Sequence, residues 1–262
     1  MRIAVALVLL AAFAMCAPAV RGEVKVEAVE YKDGETALRG YLAYDDAITG
    51  KRPGIMVIHE WWGCNDYVIG RAKQLAEMGY VAFACDMYGA GVTTKDAGEA
   101  GKLAGQIRSD KAKWRQRAAA GLKVLSNHAR VDASKLGAIG YCFGGTTALQ
   151  MACAGMDLKV VVSFHGSLFT PTAEEAKAVK GKVLVCNGAA DAFIQPADRE
   201  GFIKAFEAAK VDYVFVDYAG AVHTFTNPEA GKAGIPGVAY DEKADKRSWA
   251  HMKLAFEEAF GR

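Results

Sequence analysis

Apolar positions along this chain come in two spacings that take turns. From Glu23 to Ala43 the segments VKVEAVEY and ALRGYLAY are strand-like, and the Asp33-Gly34 pair between them signals a hairpin. Pro53–His59 (PGIMVIH) is a short apolar run bounded by turn residues, as in a strand buried on both faces. In Asp66–Met78 the apolar residues Val68, Ile69, Ala72, Leu75, Ala76 and Met78 fall at helical spacing, and Gly79 is a natural stop. Tyr80–Cys85 (YVAFAC) predicts a second buried strand. Gly89–Lys113 is polar and glycine-rich, with one short surface helix expected, and Trp114–His128 predicts a longer helix. Leu136–Gly140, Val160–Phe164, Lys182–Gly188 and Asp212–Tyr218 read as further strands; Thr146–Ala154, Ala197–Ala209 and Asp241–Phe260 read as helices. The alternation predicts an α/β fold, a mostly parallel sheet with helices on both faces and an antiparallel N-terminal hairpin. No repeat, low-complexity tract or long linker divides residues 23–262, which read as one domain.

Residues 1–22 follow a different rule. After Met1-Arg2 comes an uncharged apolar run from Ile3 to Ala17, short of the roughly 20 apolar residues that span a bilayer. A basic start, an apolar stretch and then small residues read as a secretory signal, with cleavage expected after Ala19 or Gly22. The expectation is export to a periplasmic or extracellular space, with no membrane association after cleavage.

Composition narrows the partners. The 262 residues carry 32 Lys+Arg against 30 Asp+Glu, and removing residues 1–22 takes away Arg2 and Arg21, leaving the two signs balanced. That gives no electrostatic case for nucleic acid or an anionic membrane surface. Six cysteines without a CxxC pair suit neither a disulfide scaffold nor a structural zinc site.

The sharpest chemical signal is Gly140-Tyr141-Cys142-Phe143-Gly144-Gly145, set between a predicted strand and a predicted helix. G-x-S-x-G in that setting is a nucleophile elbow, and here cysteine holds the nucleophile position. A helix N-terminus favours negative charge on the sulfur, and an adjacent imidazolium favours it further. The bland alternative is a buried apolar cysteine beside a glycine-rich turn. In this fold the acid and then the histidine follow the nucleophile in chain order. His165, His223 and His251 follow Cys142. His251 lies in a helical pattern, His165 directly follows a strand ahead of any acid, and His223 sits in the small-residue loop after the last strand, so His223 is the expected base. Asp191, just after the strand ending at Gly188, is the expected acid, with Asp198 its rival at a helix start. Trp61, after the Pro53–His59 strand, and Phe143, after the nucleophile, are the expected backbone N–H donors of an oxyanion hole. Glu60 reads as an acid beside the nucleophile.

Taken together, HEWWG, GYCFGG, GAADAFI and VHTF, in this order, resemble the dienelactone hydrolase family of α/β-hydrolases over roughly residues 24–262. The resemblance implies a Cys142–Asp191–His223 triad and makes Glu60 the family glutamate that contacts the resting thiol and helps switch it to thiolate when substrate binds. Asp86-Met87-Tyr88-Gly89 matches the family's turn after the next strand. Dienelactone hydrolase itself holds its substrate carboxylate with two arginines; at those positions this chain has Ala90 and Asn227, and Arg108, Arg115 or Arg117 are the candidates to replace them.

The expected chemistry is cysteine-dependent hydrolysis of a small carboxylic ester or lactone through a thioester, with no metal or organic cofactor. An acyltransferase with the same triad and a non-catalytic binding protein on the same fold are the rivals. A thiol redox role is a third, if Cys64 approaches Cys142. Cys85, Cys153 and Cys186 read as core residues.

Overall fold

The structure is a computed structural model that describes residues 22–261. Residues 1–21, and with them nearly all of the expected export signal, lie outside the described residues, as does Arg262.

One eight-stranded sheet organises the chain: β1 (Val24–Asp33), β2 (Thr36–Asp45), β3 (Arg52–Ile58), β4 (Val81–Cys85), β5 (Val131–Tyr141), β6 (Val160–Phe164), β7 (Lys182–Gly188) and β8 (Tyr213–Tyr218). Their spatial order is β1-β2-β4-β3-β5-β6-β7-β8. β1 and β2 form the predicted hairpin, with Gly34 at φ 56° in the tight turn. β2 joins β4 antiparallel, and β3 to β8 all run the same way. This is the α/β architecture that the alternating pattern predicts.

Helices cover both faces: α1 (Asp66–Glu77), α2 (Ala97–Arg108), α3 (Lys111–Ser126), α4 (Phe143–Cys153), α5 (Ala173–Lys177), α6 (Pro196–Ala209) and α7 (Glu242–Phe260). Strand residues point alternately to the two faces. Ile55 and Val57 of β3 therefore join Val68 and Leu75 of α1 and Met252 and Phe256 of α7. Met56 and Ile58 instead join Trp114 and Ala118 of α3, Leu149 of α4 and Phe202 of α6. Each such large apolar side chain contributes about 1.5–3 kcal/mol on burial. A strand covered on both sides has no polar face, which is why β3 reads as an unbroken apolar run.

Local chemistry shifts several boundaries. The stretch expected to hold one short surface helix contains α2 entire and the start of α3. Asp96 and Asp110 cap them, their carboxylates accepting the Glu99 and Lys113 N–H groups. α5 was not expected. It is closed by a capping box in which the Thr172 hydroxyl accepts from the Glu175 N–H and the Glu175 carboxylate accepts from the Thr172 N–H. α4 starts at Phe143, three residues before the predicted start, so it begins directly at the turn that holds Cys142.

The six co-directional strands bring their C-terminal ends to one edge, the edge where open α/β sheets bind ligands. Glu60 lies just after β3, Cys142 after β5, His165 after β6, Asp191 after β7 and His223 after β8.

Candidate active site

The turn from β5 into α4 works only because of its glycines. A Cβ on Gly140 would lie 2.0 Å from the Gly144 carbonyl oxygen, and one on Gly144 would lie 2.2 Å from that of Ile58. Main chain thus packs on main chain, and Cys142 is held at φ 52°, ψ −114°, backbone strain of about 1–3 kcal/mol for a residue with a side chain. Cys142 is the residue before α4 and makes no capping bond with its side chain, so the sulfur is free to face outward at the positive end of a helix.

A hydrogen-bonded chain leads away from that sulfur. Cys142 Sγ lies 3.1 Å from His223 Nε2, and His223 Nδ1 lies 2.7 Å from Asp191 Oδ2. Asp191 Oδ1 accepts from the Phe193 N–H at 2.9 Å, which fixes the carboxylate in the turn after β7. The Asp191 side chain is fully buried. Burial opposes charge on His223, but the Cys142 sulfur and the Asp191 carboxylate outweigh it and push its pKa up to about 10. Asp198, the rival acid, stays in the first turn of α6. His251 meets the Tyr218 hydroxyl from α7, and His128 packs on Tyr44.

Glu60 is buried beside this chain, and burial raises its pKa to about 7. Its Oε2 accepts from Asn227 Nδ2 at 2.8 Å, whereas its Oε1 has no partner. The resemblance led to a Glu60–thiol contact; in the structure the carboxyl is paired with Asn227 and the thiol with His223. Asn227, the residue standing where the family enzyme has an arginine, is therefore an integral part of the buried site.

A cavity of about 530 Å³ opens above Cys142 and His223. Trp61, Trp62, Phe193, Ile235 and Val238 give it apolar walls, and Arg108 and Lys95 lie on its rim. Of the three arginines proposed to replace the missing pair, only Arg108 lines this cavity. Arg115 binds Gln150 and Glu175, and Arg117 binds Asp33, Thr36 and the Met87 carbonyl. Trp61 lies on the cavity wall, and Phe143 is the first residue of α4, whose N–H has no acceptor within the helix.

Two buried histidines that directly follow strands touch the site from behind. The Cys142 N–H is shared between the Phe164 carbonyl at 3.0 Å and His165 Nδ1 at 3.1 Å. His165 Nε2 meets Thr226 Oγ1 at 2.7 Å, and burial holds this ring well below the usual histidine pKa. His59 receives the Met87 N–H on Nε2 at 3.2 Å and bonds the Glu60 carbonyl through Nδ1.

The redox alternative finds no support in the packing. Cys64 packs in the core on one face of the sheet and Cys142 against the core on the other. The Cys64 thiol instead donates to the Ala84 carbonyl at 3.6 Å, and burial pushes its pKa well up. All five cysteines among the described residues are free. Among those residues no three of His, Cys, Asp and Glu come together to hold a metal ion, and no helix is long and apolar enough to cross a membrane.

The family model for the dienelactone hydrolase family matches residues 38–260. This chain belongs to the dienelactone hydrolase family. It is therefore a hydrolase of the dienelactone hydrolase type, and lactone or ester hydrolysis is the activity the family suggests. Among solved structures it is similar to a dienelactone hydrolase-like promiscuous phosphotriesterase from metagenomic libraries. The two share 40% identity at a TM-score of 0.88, over 91% of this chain and 99% of the other. Among curated proteins it is similar to the probable 2-oxo-3-(5-oxofuran-2-ylidene)propanoate lactonase of Bradyrhizobium sp, 30% identical over 74% of this chain and 80% of that one.

Proposed function

We propose that the protein is an exported, cysteine-dependent hydrolase of small carboxylic esters or lactones that works through a thioester. The observation that carries this reading is the chain from Cys142 Sγ through His223 to Asp191 at a strained strand-to-helix turn on the cavity floor. His223 Nε2, 3.1 Å from Cys142 Sγ, takes the thiol proton and so generates the nucleophile. Sulfur attacks the carbonyl carbon, forming a C–S bond while the carbonyl π pair moves onto oxygen. The Trp61 and Phe143 N–H groups hold that oxyanion. Its collapse breaks the C–O bond, and His223 Nε2–H protonates the leaving alkoxide.

Acylation then changes the histidine. Once sulfur is in a thioester, the negative charge that raised the His223 pKa is gone, while burial still disfavours the imidazolium. The ring becomes a base, takes a proton from water, and the resulting hydroxide attacks the thioester. The acid leaves, and the proton shared by Cys142 and His223 returns to the pair. For a lactone the net change is addition of one water to give a hydroxy acid. Asp191 keeps the imidazole in the tautomer both steps need.

Intact-mass measurement after mixing with small activated esters and lactones tests this. A stoichiometric acyl adduct on Cys142 is expected, and equal turnover by Cys142→Ala and wild type overturns the reading. The phosphotriesterase named in the 40% identical relative supports a second substrate class. For a dialkyl 4-nitrophenyl phosphate the thiolate would attack phosphorus and expel 4-nitrophenoxide, water activated by His223 would then cleave the P–S bond to release the dialkyl phosphate, and 4-nitrophenol release reads the reaction out. Export is supported by the apolar run Ile3–Ala17, and the mature N-terminus is expected at Val20 or Glu23 by terminal sequencing.

A further inference from the structure

His59 follows β3 directly and is fully buried, and the mechanism above gives it no role. Its hydrogen bonds assign its tautomer. Nε2 lies 3.2 Å from the Met87 N–H, which can only donate, so Nε2 is the bare nitrogen and the proton is on Nδ1. Nδ1–H then donates to the Glu60 carbonyl oxygen. Burial holds the ring below the usual histidine pKa, which favours this neutral form.

The Glu60 carbonyl belongs to the same peptide unit as the Trp61 N–H. No peptide among the described residues is cis, so the carbonyl and the N–H of that planar unit point in opposite directions. A bond at the carbonyl end therefore sets where the N–H end is aimed, and polarising the carbonyl strengthens the N–H as a donor. The Gly63 N–H also reaches the Glu60 carbonyl, at 3.4 Å, closing a turn behind it. Beyond the unit, the Trp61 carbonyl accepts from the Tyr88 hydroxyl at 3.0 Å. The His59 ring is itself fixed, stacked on Phe143 with centroids 5.8 Å apart and edge-on to Tyr88 at 4.8 Å. Phe143 supplies the other proposed donor, so one imidazole bonds the peptide unit of one donor and stacks on the residue that carries the other.

We infer that His59 is a positioning residue for the oxyanion hole: through its Nδ1–H bond to the Glu60 carbonyl it aims and polarises the Trp61 N–H at the developing oxyanion. The inference rests on the acyl-transfer reading given above. It separates His59 from the many buried histidines that only satisfy the core.

The test compares two reactions of the same sulfur. Hydrolysis of an activated ester builds an oxyanion; alkylation of Cys142 by iodoacetamide, in which sulfur displaces iodide, does not use one. His59→Phe keeps a ring for the stack but removes the donor. It is expected to lower kcat about 10- to 100-fold with KM within about threefold, less than the 10²–10³ expected for deleting a donor outright. Affinity for an aryl trifluoromethyl ketone, whose adduct with Cys142 carries the oxyanion, is expected to fall by a similar factor. Iodoacetamide alkylation is expected to stay within about twofold of wild type. His59→Asn places an amide N–H near the Nδ1 position and is expected to recover most of the lost kcat. If the phenylalanine variant does not fold, His59→Leu carries the same comparison. Alkylation falling in step with kcat, unchanged kcat and ketone affinity, or no recovery by His59→Asn overturns the inference. A wild type that forms no acyl-enzyme overturns the acyl-transfer reading first.

Discussion

The Asn227 side-chain amide donates to Glu60 Oε2 at 2.8 Å, and both residues are buried. An amide brings no charge, so it satisfies one carboxyl oxygen without neutralising an ion. Burial therefore dominates and lifts the Glu60 pKa from 4.5 to about 7. The sign follows from linkage: a pKa raised on folding gives stability that is complete below the unfolded value and declines as pH rises through the folded one. The carboxyl's contribution thus erodes between pH 4.5 and 7, by about 3 kcal/mol in all. Glu60→Gln still accepts from Asn227 and has nothing to ionise. In denaturant melts its stability relative to wild type is expected to rise by about 2–3 kcal/mol from pH 4.5 to pH 8. Parallel curves for the two proteins would show that the Glu60 pKa is not raised on folding.

Asp191 bonds His223 Nδ1 at 2.7 Å and does not line the cavity. Replacing it with asparagine keeps the shape but offers an N–H toward Nδ1, which favours the wrong imidazole tautomer. Asp191→Asn is expected to cut kcat about 10³- to 10⁴-fold, with little change in KM. Steady-state kinetics on an activated ester measures this, and a loss under tenfold means another group orients His223.

The fold was legible because its central strands are buried on both faces and helices such as α1 on one. That difference shows in β3, β6 and β7 as the consecutive apolar residues Ile55–Ile58, Val160–Val162 and Val183–Cys186, and in α1 as a helical stripe. What escaped was set by polar caps and not by apolar period: α5 by Thr172 and Glu175, and the junction of α2 and α3 by Asp110. Cys142, Asp191 and His223 stood out because each follows a strand in the order the fold requires. His59 and His165 also follow strands, but each is tied to a main-chain N–H just past a neighbouring strand, Met87 for His59 and Cys142 for His165, a relation that exists only once the sheet is ordered. Asn227 was visible as a missing arginine; its pairing with Glu60 spans 167 residues of chain and leaves no local trace.

Arg108 is the arginine on the cavity wall, with its guanidinium carbon 5.4 Å from the centre of the Phe143 ring. Arg115 is committed to Glu175 at 2.6 Å. A carboxylate on the substrate would thus meet Arg108 and not Arg115. A charged hydrogen bond contributes about 1.5–3 kcal/mol, about tenfold or more in binding. Arg108→Met is expected to raise KM at least about tenfold for an ester bearing a carboxylate, leaving a neutral ester nearly unaffected. Arg115→Met is expected to treat the two esters alike. Equal KM changes for both esters in Arg108→Met would show that Arg108 does not read substrate charge.

His165 bonds the Cys142 main chain where the backbone is strained. Its Nδ1 accepts from the Cys142 N–H at 3.1 Å, its Nε2–H is directed at Thr226 Oγ1, and the Tyr67 hydroxyl meets the same oxygen at 2.7 Å. The Thr226 carbonyl in turn accepts from Arg71, which pairs with Asp245 of α7 at 2.7 Å. The elbow is thereby tied to α1 and α7 through one ring. His165→Leu leaves the Cys142 N–H only its Phe164 partner and takes a donor from Thr226, so a loss of about 1–3 kcal/mol in unfolding free energy is expected. A small displacement of sulfur from His223 can cost up to about 100-fold in rate, so ester hydrolysis and iodoacetamide alkylation are expected to fall together. His165→Asn keeps an acceptor near Nδ1 and tolerates the positive φ of 40°. It is expected to recover alkylation more than stability, because the Thr226 bond stays lost. Recovery of stability without recovery of alkylation would place the role of His165 in the core instead of at the nucleophile.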